Sequence, residues 1–322
     1  MARWVAGRLL QGLLTVALAA GLAFVLMRLA PGGPLAVLGD DRPLGLEARA
    51  ELEARYGLDR PVAEQFGAWA GGLIRGDLGA SIASGQPVTG LLRDRLPASL
   101  LLGGVVLLLT FGLGIPLGVL QATRPGSALD RLLGGISLAA WAVPSFWLGL
   151  VLAGTVAVRW RLLPAAGMAD PLLDPAAPWP ARAGDVIRHL VLPAATLTVV
   201  SIAAVMRYQR AAMLTALRQP SVLAARARGV PERAVIWRHA WRNALGPVIA
   251  LLGLWLPLLA TGAVFVEYVF DWPGVGQLAA LAVAARDYPV VMGVTLLVAV
   301  VTVAGSVAAD LLHAAADPRL RE

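Results

Sequence analysis

An all-α membrane protein with six transmembrane helices is the fold class this sequence predicts, on three observations. Of 322 residues, 58% are hydrophobic and only 15% are charged, where a soluble globular chain carries roughly 25% charged residues. The apolar residues are concentrated in six intervals of 18 to 28 residues that contain no Asp, Glu, Lys or Arg. A bilayer needs about 20 consecutive apolar helical residues, and buried helices of soluble proteins rarely stay free of charge for so long. Finally, arginine is unevenly distributed between the segments that join these intervals. Segments 1–8, 124–131, 207–242 and 310–322 hold 14 Arg in 65 residues, against 13 in 119 for segments 28–95, 159–188 and 267–287. By the positive-inside rule the first set is cytoplasmic, which puts both termini in the cytoplasm.

Taken in order, the first interval lies between Arg8 and Arg28 and gives a transmembrane helix over residues 1–30. Its 19 apolar residues exceed the roughly 7–15 of a signal-peptide core. An outer loop follows over residues 31–95, in which 47–57 alternate Glu and Arg as a short amphipathic surface helix. Residues 96–322 hold the other five helices, in the intervals Arg95–Arg124, Arg131–Arg159, Arg188–Arg207, Arg242–Glu267 and Asp287–Asp310. Pro116, Pro144, Pro193, Pro247 and Pro257 fall inside them, and Gly114 and Gly118 form a small-xxx-small pair. Neighbouring helices tolerate such prolines, and small residues let backbones approach, so these positions read as ordinary helix packing. The 14-residue gap from Trp272 to Ala285 is too short to span and reads as interfacial or re-entrant.

Composition also removes whole classes of chemistry. There is no Cys, hence no disulfide framework and no thiolate metal site. All 27 basic residues are Arg, so there is no Walker A lysine for ATP phosphates and no Schiff-base lysine. His189, His239 and His313 are scattered and read as capping or packing residues, with no metal site. No span has an ionisable residue near its centre, where ion-coupled secondary transporters and intramembrane enzymes place their chemistry. The chain therefore moves or anchors something without an energy source of its own.

The loop between the fourth and fifth spans, 207–245, is the most patterned segment. Residues 207–242 carry eight Arg against one acid, Glu232, which by itself equals the net charge of +7. Pro220 and Ser221 read as a helix start, Gly229 as a left-handed stop, and Pro231 as the first position of a second helix. In that helix Ala234, Trp237, Ala240, Trp241 and Ala244 share one face at helical spacing, with Arg233, Arg238 and Arg242 projecting elsewhere. A membrane-surface helix, a site for nucleic acid or anionic lipid, and a docking element for a cytoplasmic partner all fit this pattern.

The residue order resembles the inner-membrane permease subunits of ATP-binding-cassette importers, in particular the B-type subunit of the dipeptide/oligopeptide (and nickel) permease family. Ala224, Ala225 and Gly229 resemble that family's cytoplasmic EAA loop, with Leu223 where the motif has glutamate. RLLQGLLTV near the N-terminus, APGGP at 30–34, the loop at 52–82, RLPASLLL at 95–102, GIPLGV at 114–119 and AVPSFWLGL at 142–150 resemble the same branch, as do FDWPGVGQL at 270–278, RDYPVVMGV at 286–294 and DPRLRE at 317–322. The resemblance covers essentially the whole chain and is weakest over 164–188.

This resemblance implies a type I importer permease fold with a cytoplasmic coupling helix. Ala224, Ala225 and Gly229 would meet an ATPase subunit, where small residues allow close approach, flanked by Arg226 and Arg228. Trp272, Pro273 and Gly274 would belong to an outer gate, although Trp272 also reads as an interfacial anchor. The implied partners are a second homologous permease, two cytoplasmic ATP-binding subunits and an extracytoplasmic substrate-binding protein, with no nucleic acid. ATP and magnesium would be bound by the partners and no cofactor by this chain. The cargo implied is a di- or oligopeptide, with nickel complexes, glutathione or another small solute as alternatives. An ion-coupled transporter and a non-transporting scaffold are the rival classes.

Overall fold

In a computed structural model the described residues are 2–29, 59–255 and 263–316. Within them the chain is helical, with one isolated β-bridge between Ala80 and Pro87. The surface helix expected at 47–57, Pro257 and the closing 317–322 segment lie outside the described residues. The long helices are α1 (Ala2–Leu29), α3 (Val88–Thr123), α6 (Trp179–Ala216) and α13 (Tyr288–Ala316). Each contains a stretch long and apolar enough to cross a membrane. They match the first, second, fourth and sixth charge-free intervals. A shorter helix, α2 (Val62–Ile74), meets α1 through Phe24, Phe66 and Trp69, whose ring centroids lie 5.2 to 6.0 Å apart.

The third interval departs from the expected single span. It forms α4 (Ala128–Ala142) and α5 (Ser145–Leu152), which continues as a π-helical turn, Ala153–Arg159. The two halves meet at 96°. Pro144 is the cause: the residue before a proline is pushed out of the helical region, and Val143 sits at φ −82°, ψ 126°. In the fifth interval, α10 (Gly246–Trp255) covers 10 residues, or about 15 Å of a hydrocarbon core roughly 30 Å thick. Residues 256–262 lie outside the described residues. The described structure thus contains four candidate spans, or five if the bent pair counts as one, rather than six.

Helix α3 runs through all four buried clusters. Val88 and Leu92 pack with Val275, Val290 and Val294, while Leu102 and Val106 pack with Leu190, Leu197 and Trp272. Leu107 and Phe111 pack with Val205 and Leu251, and Val119 and Ala122 with Met213, Val222 and Ala225. Its closest partner is α6. A Cβ at Gly114 would stand 2.9 Å from Val205, and one at Gly118 only 2.7 Å from the Met206 carbonyl oxygen, so these glycines set the approach of the two backbones. The leucines of α1, including Leu10, Leu14, Leu18 and Leu22, remain exposed, as a lipid-facing surface requires. Arg8 pairs with Asp310 at 3.0 Å, placing the start of α1 beside the end of α13.

Candidate functional site

One candidate site is the loop following α6. Helix α7 (Pro220–Ala227) has Gln219 at its N-cap and Pro220 at its first position, where a missing N–H costs nothing. It ends at Gly229, whose φ of +77° lies in the left-handed region. The Gly229 N–H donates to the Arg226 carbonyl at 2.9 Å and the Val230 N–H to the Ala225 carbonyl at 3.2 Å, the two bonds of a Schellman stop. The two alanines diverge, because successive helical residues point about 100° apart. Ala225 is buried with Val222 against Met213, Val235 and Ala240, inside the chain. Ala224, Arg226, Arg228 and Gly229 face outward with Leu223. Of the five residues marked in the sequence, four lie on the open surface and Ala225 supports them from beneath.

Arg226 grips Glu232 across the turn, its Nη2 donating to Oε1 at 2.6 Å and its Nε to Oε2 at 3.1 Å. Hydrogen bonding from Arg226 holds the Glu232 carboxyl below the usual carboxylate range, against a weaker opposing effect of burial. A lowered folded-state value means that the pair stabilises the loop above that range and loses its effect as pH falls through the lowered value. Both side chains are more than a third exposed, which limits the effect to about 0.2–1 kcal/mol. Glu232→Gln is expected to lower the melting midpoint slightly at neutral pH, and its difference from wild type should shrink as acid protonates Glu232 below the usual carboxylate range. Melting curves of both proteins across pH check this.

Beyond Pro231 the structure shifts the expected register. Pro231 is the N-cap of α8 (Glu232–Ala234), one position earlier than predicted, and a π-helical turn over Val235–Ala240 then leads to α9 (Trp241–Asn243). A π-turn bonds i to i+5, so the buried stripe becomes Val235, Ala240 and Ala244. Trp237 is turned out of that stripe to the surface, against Trp241 with centroids 5.6 Å apart. Pro231, Arg233, Ala234 and Trp237 line a shallow groove. Helical spacing in the sequence put Trp237 on one face with Ala240 and Ala244, because 3.6-residue spacing contains no sign of a π-turn.

At the opposite end of α3 lies the segment containing Trp272. Trp272 is fully buried and its Nε1–H donates to the Ala98 carbonyl at 2.9 Å, which removes its reading as an interfacial anchor. It sits between α11 (Val264–Val269) and α12 (Val275–Ala284). Ser99 Oγ donates to Glu267 Oε1 at 2.8 Å, and the Gln277 N–H donates to Oε2 at 3.0 Å. Glu267, on α11, is wholly buried, and its side chain reaches the start of α12. Anions are favoured at a helix N-terminus because its first N–H groups lack partners. Gly274 lies against this carboxylate, with Pro273 partly exposed beside it. Arg95 Nη1 donates to Gln277 Oε1 at 2.8 Å, and Gln277 Nε2 to Asp271. Asp287 is a second buried carboxylate at this end, accepting from Ser81 Oγ and from the Ile82 N–H at 3.1 Å. Both acids escaped the sequence reading because each stands at the border of an apolar interval, where a charge normally marks the end of a span. Among the described residues no cluster of three or more metal-ligating side chains comes together.

Residues 114–322, which include α6, the 217–245 loop and the Trp272 segment, match the family described as binding-protein-dependent transport system inner membrane component. The chain belongs to this family. Among curated relatives, the oligopeptide transport system permease protein AppB of Bacillus subtilis is 39% identical over 300 residues, covering 93% of each chain. The dipeptide transport system permease protein DppB of Escherichia coli strain K12 is 35% identical over 315 residues, again 93% of each. The di/tripeptide transport system permease protein DppB of Pseudomonas aeruginosa strain UCBPP-PA14 is 35% identical over 316 residues, with the same coverage. This chain is therefore an inner-membrane component of a binding-protein-dependent transport system, built from apolar helices.

Proposed function

We propose that the chain is one of two homologous permease subunits of an ATP-driven importer and that its cargo is a short peptide. The observation carrying this reading is the 35–39% identity to permeases named for dipeptide, di/tripeptide and oligopeptide transport, over 93% of each chain. In this reading six spans cross the membrane, both termini are cytoplasmic, and the 207–245 loop is the coupling element. Ala224, Arg226, Arg228 and Gly229, with Ala225 beneath them, seat an ATPase subunit. Trp272, Pro273 and Gly274 belong to the outer gate, where an extracytoplasmic binding protein delivers cargo. Transport is alternating access: closure of two ATPase subunits shifts the population towards an outward-facing state. ATP and magnesium bind those subunits and not this chain.

The test is reconstitution of the complete complex in liposomes with its binding protein. Dipeptide uptake should require ATP, and photoaffinity nucleotide should label only the ATPase subunits. Uptake independent of ATP but driven by an ion gradient, or specific labelling of this chain, would remove the reading.

A further inference from the structure

Between α3, α4 and α6 lies an open cavity of about 350 Å³, whose walls include Gln121, Asp130, Leu138, Arg207 and Arg210. Three charge-free intervals end beside it. Gln121 stands three residues before Arg124, which closes the second interval; Asp130 adjoins Arg131, which opens the third; Arg207 closes the fourth. These borders belong to segments 124–131 and 207–242, on the side of the membrane where arginine is denser. A span ends where charge returns, and denser arginine marks the cytoplasmic side. The cavity therefore stands at the level of the cytoplasmic headgroups.

Its charges do not cancel. Arg210 is spent on Asp130, with Nε to Oδ1 and Nη2 to Oδ2 both at 2.8 Å. Arg207 is exposed, and its guanidinium lies 5.0 Å from the indole centroid of Trp141. Among the described residues no carboxylate pairs with it. One positive charge is left over, and an indole on one face leaves the edge of the guanidinium free to donate. Apolar surface adjoins this charge. Leu138 on the cavity wall is 61% exposed, and Trp141 and Tyr208 are each 55% exposed. Tryptophan and tyrosine are the side chains enriched at membrane–water interfaces. Leu132 and Ile136 continue the exposed apolar surface of α4. A free anion would use the charge and leave these side chains in water, whereas an amphiphile uses both.

We infer that this cavity holds the headgroup of an anionic phospholipid of the cytoplasmic leaflet, with Arg207 donating to its phosphate and Leu138 flanking the start of an acyl chain. A basic pocket between transmembrane helices on the cytoplasmic side suits such a headgroup. A guanidinium fork matches two phosphate oxygens with parallel N–H donors, and the cavity is within the usual size of a small-ligand pocket, about 300–1,000 Å³. The choice of leaflet rests on the orientation in the reading above; the charge and its apolar rim do not.

The test uses the assembled complex, delipidated in detergent and titrated with phosphatidylglycerol or phosphatidylcholine under native mass spectrometry. Arg207→Gln should weaken the first phosphatidylglycerol to bind by at least about fivefold, the equivalent of about 1 kcal/mol, and leave phosphatidylcholine unchanged. Arg207→Lys should keep most of the preference, because a lysine still binds phosphate as a point charge. Arg218→Gln, an exposed arginine outside the cavity, should change neither lipid. Equal losses in the Arg207→Gln and Arg218→Gln proteins would show general charge attraction and overturn the inference. Displacement of the lipid by millimolar inorganic phosphate would assign the site to a free anion instead. Loss of an ATPase subunit from the Arg207→Gln complex, with phosphatidylglycerol binding unchanged, would assign the charge to a protein partner. The orientation is read separately. Because the chain has no Cys, Arg218→Cys gives this subunit a single thiol, which a membrane-impermeant maleimide should label only in inside-out vesicles. Labelling only in right-side-out vesicles would move the site to the outer leaflet and overturn the orientation, while the phosphatidylglycerol preference persisted.

Discussion

Gly274→Ala is expected to cost about 3 kcal/mol of stability or more, from the addition of a single methyl group. The new Cβ would overlap Glu267 Oε2 and stand 2.5 Å from Ser99 Oγ. Neither can retreat freely, because Ser99 Oγ donates to Glu267 and also accepts from the Val275 N–H at 2.8 Å. Moving the carboxyl aside strips donors from a buried acid, which costs about 1–3 kcal/mol, on top of the roughly 1–3 kcal/mol of overpacking itself. The natural control is Gly104→Ala in α3, where a Cβ meets nothing within 4 Å. That change should be neutral or slightly stabilising, since alanine is the better helix former by about 1 kcal/mol. The melting midpoint of the detergent-solubilised complex, followed by size-exclusion chromatography after heating, separates the two. A Gly274→Ala protein that melts with wild type would mean that Glu267 is not held as tightly as its hydrogen bonds require.

Much of this architecture is legible in the order of residues. Charge-free runs located the four long helices, because a bilayer and a charge are incompatible whatever the packing. Pro220 and Gly229 marked the bounds of α7 within a residue or two, because both act through the local backbone. What escaped depends on the fold around a residue. Pro144 was visible inside the third interval, but whether a proline kinks a helix slightly or breaks it by 96° depends on neighbouring helices. Ala224 and Ala225 look equivalent in sequence, yet one faces out and the other is buried against Met213 and Val235. Trp237 was grouped on one face with Ala240 and Ala244, because the π-turn that separates them has no composition signature. Trp272 suited a membrane interface by chemistry alone. Only the Ala98 carbonyl, 174 residues away in sequence, gives its N–H a partner in the interior.

Gly229→Trp is the change with the largest expected effect on transport. A Cβ at Gly229 meets nothing within 4 Å, so a side chain starts there without a clash inside this chain, on the face proposed to seat a partner. The one internal cost is conformational, because φ is +77° and a left-handed L-residue is unfavourable by roughly 1–2 kcal/mol. Gly229→Asn is the low-strain control, since asparagine tolerates this region better than other side chains. If the loop seats an ATPase subunit as proposed, the indole wedges the contact open. Losing a central interface contact is worth about 2–4 kcal/mol, or roughly 30- to 1,000-fold in coupled turnover. Uptake should therefore collapse in the Trp variant, with membrane insertion intact and any remaining ATP hydrolysis no longer stimulated by the loaded binding protein, while the Asn variant stays within about tenfold of wild type. Melting curves separate docking from folding: strain at φ +77° would lower the melting midpoint of the Trp variant along with its uptake, whereas a lost seat lowers uptake with the midpoint nearly unchanged. Equal uptake by the Trp variant and wild type would take Gly229 off the path by which ATP binding reaches the membrane.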